Sequence, residues 1–94
     1  MKKFLILHFG FEMPTPEDMA GWNSWFATIA DCHIERGHLP GGKEISDAGT
    51  KDLPFGKDSM TGYTMIEAED LDAATEIAQQ CPYVLSTRVY EIKG

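Results

Sequence analysis

Three histidines, His8, His33 and His38, are the side chains of this chain best suited to moving a proton near neutral pH. His8 stands at the end of an apolar run and shares its alternating face with Phe4 and Ile6. Its ring is therefore not freely solvated. Buried polar rings need a hydrogen-bond partner, so an orienting carboxylate is sought, and Asp47 and Asp52 are the candidates. Either aspartate would raise the His8 pKa, whereas burial alone would lower it. The expectation is a displaced titration with Asp47 or Asp52 as the cause. Against this stand plainer readings: a partly buried ring bonded to backbone for His8, and ordinary solvation for the two aspartates. His33 falls on the apolar arc of a helix, as a core ring or part of a ligand wall. His38 follows Gly37 and faces solvent.

Trp22 and Trp25, three residues apart, supply aromatic walls for a ligand or packing for a core. Phe55 adds a third aromatic candidate, from a loop. These three and His33 form the candidate ligand-binding set. Cys32, His33 and Cys81 match no zinc spacing, and adjacent residues on a helix point apart, so no metal site is expected. Gly41-Gly42 precedes a strand rather than a helix, so it is no phosphate loop. The sequence holds no nucleophile elbow, P-loop or dinucleotide fingerprint, and no cofactor is expected.

These residues must be positioned by regular elements. Lys2 to Phe9 reads as a strand apolar on both faces, with Leu5, Leu7 and Phe9 opposite Phe4, Ile6 and His8. Thr15-Pro16-Glu17-Asp18 is a helix start, with Thr15 as cap and acids in the first turn. Met19, Trp22, Phe26, Ile29 and His33 continue at helical spacing, which predicts a helix to about Arg36 with Gly37 as its left-handed C-terminal residue. Lys43 to Ala48 reads as a short second strand, and Gly49 to Met60 as a mobile irregular loop. Thr61 to Glu69 is a third strand. Asp70 caps a second helix that Pro82 stops, and Thr87 to Lys93 is the last strand. The order βαββαβ gives a ferredoxin-like α+β fold: a four-stranded antiparallel sheet with two helices on one face.

A chain of 94 residues is one domain. At this size only about 60–65% of the unfolded surface is buried, so the core is thin. One helical layer covers one sheet face. A second copy is the economical cover for the other, which predicts a homodimer. The formal charge of −7 disfavours nucleic acid and anionic membranes as partners, since both need clustered cations. Phe4 to Phe9 is too short for a signal-peptide core and no stretch approaches a membrane span. A cytoplasmic protein with two reduced thiols is expected.

Several segments, weak singly and more specific in order, resemble the YCII-related domain family, including its DGPF-type branch. They are Met1 to Leu7, Thr15-Pro16-Glu17 with Trp22 to Phe26, and Gly37-His38-Leu39 leading to Gly41-Gly42. Gly62-Tyr63 before Ile66-Glu67-Ala68, Leu71 to Ala74, Cys81-Pro82 and Val89 to Ile92 follow. The resemblance implies a dimeric α+β barrel. It also implies kinship with small-molecule enzymes that use a His–Asp pair, although no such motif recurs here at a fixed spacing. Asp52-Leu53-Pro54-Phe55 resembles the DGPF tetrapeptide with Leu53 in place of glycine, and Leu resists the positive φ that glycine permits. Two functions fit. One is a cofactor-independent small-molecule enzyme with His8 and Asp47 or Asp52 as its acid–base pair. The other is a non-catalytic dimeric module that binds a small ligand or a protein.

Overall fold

A computed structural model describes residues 1–94. The elements are β1 (Lys2–Phe9), α1 (Pro16–Thr28), β2 (His33–His38), β3 (Gly41–Ser46), β4 (Gly49–Pro54), β5 (Met60–Ala68), α2 (Leu71–Gln79) and β6 (Ser86–Ile92). Four strands form one sheet in the order β2-β5-β1-β6, every neighbouring pair antiparallel. With the two helices this is the ferredoxin-like α+β arrangement. The remaining strands, β3 and β4, pair only with each other.

Register sets the core. Phe4 lies opposite Ile66, and Ile6 lies between Thr64 and Val89. Phe4, Ile6, Thr64 and Ile66 are fully buried, and Trp25 and Ile29 of the α1 segment close over them with Ala74 and Ala78 of α2. Only 12 of 94 residues are buried, so single core side chains carry much of the stability. Both helix starts follow the expected chemistry. Thr15 and Asp18 form a reciprocal capping box, and the Asp70 carboxylate accepts from the Ala73 amide at 2.8 Å. On the opposite sheet face no helix packs, and Tyr90 and Ile92 remain exposed beside half-buried Leu5, Leu7 and Met65. No helix is long and apolar enough to cross a membrane.

Two expectations fail. Helix α1 stops at Thr28, not near Arg36, and His33 to His38 is the edge strand β2. The turn closes where the Cys32 and His33 amides both donate to the Ile29 carbonyl. Pairing with β5 then replaces further helical bonds. Apolar residues kept their helical spacing across this turn because both sides of it face the same core. Gly37 is accordingly no helix terminator and has no positive φ. A Cβ there would meet the Tyr63 ring at 2.4 Å.

The second failure concerns residues 43–60. Lys43 to Ala48 does not join the main sheet, and Gly49 to Pro54 is a strand rather than an irregular loop. Together they make a hairpin in which every residue of both strands is exposed. Leu53 sits in extended backbone of β4, so the glycine it replaces is not needed for conformation here. The hairpin projects: the radius of gyration is 14.4 Å, against about 12 Å for a compact chain of this length.

Candidate active site

His8 is the next-to-last residue of β1, and its register partners are Gly62 and Thr87. Gly10 then turns the chain at φ +98°, a conformation side chains resist, and a Cβ there would lie 2.7 Å from Leu85 Cβ. At this end of the sheet a cavity of about 640 Å³ opens between the strand ends and α1. His8, Gly62 and Thr64 line it from the sheet, Met19, Trp22 and Phe26 from the helix, and Phe11 and Phe55 from the connecting segments. Phe11 and Phe55 meet with ring centroids 4.6 Å apart, tying the root of the hairpin to this site.

The His8 ring is held on several sides. Its Nε2 lies 2.9 Å from the Thr64 hydroxyl, a group that can donate or accept. Trp22 and Trp25 stand edge-on to it, with centroids at 5.0 and 6.0 Å. Its Nδ1 is buried without a hydrogen-bond partner. Burial pushes the imidazole down to about 4, so the ring is neutral at pH 7. This is opposite to the effect an aspartate would have, and the geometry explains why. Asp52 lies on the exposed hairpin, where the Lys43 ammonium donates to it at 2.6 Å. Asp47 sits in the turn at the hairpin tip. Neither lines the cavity, so within one chain no His8–aspartate pair forms.

The remaining expected site residues divide. Trp22 and Phe55 line the cavity. Trp25 is a core residue, 3% exposed, with its indole N–H donating to the Ile77 carbonyl at 3.0 Å. His33 opens β2 rather than lying on a helix; its ring packs 5.5 Å from Phe26 and does not reach the cavity. His38 is exposed, as expected, yet lies on the cavity rim 5.6 Å from Phe55. Most lining residues lay outside the expected set, and two of them bear on the chemistry, Thr64 and Arg36. Thr64 was legible as a polar side chain on an otherwise apolar strand face. Arg36 was hidden because its segment read as the end of a helix. No three His, Cys, Asp or Glu side chains come together as a metal-binding group.

The YCII-related domain matches residues 23–93, from within α1 to the end of the last strand. The chain belongs to the YCII-related domain family. Among solved structures, this YCII-related chain resembles 5-chloro-2-hydroxyhydroquinone dehydrochlorinase from Burkholderia phenoliruptrix AC1100 in complex with 2,5-dihydroxybenzoquinone. The TM-score is 0.61 at 18% identity, over 97% of this chain and 93% of that one. At that identity the likeness establishes the fold. A search of curated proteins found no match.

Proposed function

We propose that this YCII-related protein is a cofactor-independent enzyme acting on a small ring compound held in the α1–sheet cavity, with His8 as its acid–base group. The observation that carries this reading is a neutral, oriented imidazole with one buried, unpartnered nitrogen in an aromatic-walled cavity. An unmet buried polar atom costs about 1–3 kcal/mol, a cost commonly found where a ligand completes the set. A cavity of about 640 Å³ suits a molecule of one or two rings. The similar dehydrochlorinase, solved with a dihydroxybenzoquinone, supports a ligand of that size.

The chemistry follows from the neutral ring. Thr64 fixes the imidazole through Nε2. A ligand bearing an acidic proton can give it to His8 when the anion left behind stays beside the new imidazolium. That ion pair offsets the burial which otherwise disfavours the charge. In the reverse direction, the ring returns the proton to carbon or to a leaving group. The protein is further proposed to act as a cytoplasmic homodimer, with the open sheet face of Leu5, Leu7, Met65, Tyr90 and Ile92 as the contact.

One observation favours the non-catalytic module instead: His8 has no carboxylate to raise its basicity. Turnover separates the two readings. Chloride release from chlorinated hydroquinones should fall at least about 100-fold in His8→Ala, while 2,5-dihydroxybenzoquinone still quenches tryptophan fluorescence. Quenching in the wild type with no turnover would leave the binding module; undiminished turnover in the variant would remove His8 from the mechanism.

A further inference from the structure

Arg36 is the one lysine or arginine among the residues lining the cavity, and Glu12 is the one carboxylate. The guanidinium carbon of Arg36 lies 4.0 Å from the centroid of the Phe26 ring. Stacking of this kind holds the cation by its face and leaves its five N–H donors radiating in plane. None of them is taken: Arg36 makes no side-chain hydrogen bond, and the only ion pair in the chain joins Lys43 to Asp52. Six other basic residues are unpaired as well; what sets Arg36 apart is its place on the cavity wall, against Phe26.

Register explains why Arg36 belongs to the site. It lies opposite Thr64, with His38 opposite Gly62. His8 also pairs with Gly62 from the other side of β5. Arg36, Thr64 and His8 thus stand at the same end of three adjacent strands and line one cavity with Phe26. Arg36 itself is exposed at the cavity mouth, beside a wall that includes Trp22, Phe26, Phe11 and Phe55, so a ligand ring seated on that wall would shield a charge-assisted hydrogen bond from part of the solvent.

We infer that Arg36 selects the ligand: the cavity takes a planar molecule bearing a carboxylate or comparable anionic group, bound by the free guanidinium edge while its ring lies against the aromatic wall. Planar anions match a guanidinium through two parallel hydrogen bonds, which a neutral amide cannot reproduce. The inference rests on the cavity being the ligand site, and it names what that site discriminates.

Benzoate and benzamide are probes of nearly equal shape that differ in charge. Tryptophan quenching by each should be titrated with the full-length protein, Arg36→Met and Arg36→Lys, at low and moderate salt. The wild type should bind benzoate at least about tenfold more tightly than benzamide, with the preference shrinking as salt rises. Arg36→Met, which keeps an apolar contact for Phe26, should erase the preference while leaving benzamide affinity unchanged. Arg36→Lys should keep part of it. Equal binding of the two probes by the wild type, or a preference that survives Arg36→Met, overturns the role of Arg36 alone. Failure of both probes to bind overturns it together with the cavity reading.

Discussion

The paired strands β1 and β5 and the paired strands β3 and β4 are both antiparallel ladders, yet they are different objects. The first pair places Phe4, Ile6, Thr64 and Ile66 on one buried face, all at 0% exposure. The second has an exposed residue at every position, and Ile45 is 81% exposed. Hydrogen bonding alone does not distinguish them. Side-chain burial does, and a two-stranded ribbon without it is marginal on its own. The hairpin therefore draws its order from its root, where Phe55 meets Phe11, more than from its own strands.

The sharpest way to break this contrast is truncation. Phe4→Ala should cost about 3–5 kcal/mol, enough to unfold much of so thin a core. Ile45→Ala should stay within about 0.5 kcal/mol. Urea denaturation followed by tryptophan fluorescence measures both; equal effects would mean that the hairpin is packed as the main sheet is.

A smaller effect comes from acid. Folded His8 stays neutral down to about 4, while in the unfolded chain it protonates near its ordinary value of 6.5. Between those limits the unfolded state binds more protons, so stability declines as pH falls. It is intact above about pH 6.5 and lower by about 3 kcal/mol below pH 4. The difference in unfolding free energy between wild type and His8→Gln, followed from pH 7 to 4, isolates this slope. No change in that difference would show the ring to be solvated.

Smaller again is the response to an added methyl group. Gly62→Ala would place a Cβ 2.9 Å from the Gly37 carbonyl oxygen, backbone against backbone. It should cost about 1–3 kcal/mol. Gly42→Ala, on the hairpin with nothing within 4 Å, should be neutral or slightly stabilising. Thermal melts of the two variants give the comparison.

The sequence was legible where local chemistry and tertiary packing agree. A run apolar on both faces revealed β1, short strand-like runs between turn signals revealed β5 and β6, and side-chain caps revealed both helix starts, because Thr15 and Asp70 satisfy amides within their own first turns. It misled where packing overrode periodicity. Met19 to His33 kept a helical rhythm through a turn, which concealed β2 and with it Arg36. The hairpin was misread because its strands bury nothing, leaving no apolar pattern to read. Of the candidate site, His8, Trp22 and Phe55 line the cavity. The aspartates could not be placed from sequence, since their distance from His8 depends on which strand is inserted and which is paired.

The absence of a side chain at Gly62 carries an evolutionary consequence. Between His8 and His38 the floor of the cavity is bare main chain, and a carbon added at Gly62 would press on the Gly37 carbonyl oxygen. A change to the cavity floor on that side therefore costs stability. Descendants of this sequence change what they accommodate more readily at the side chains of the other walls, at Met19, Trp22 and Phe26 of the helix, at Phe11 and Phe55, or at Arg36.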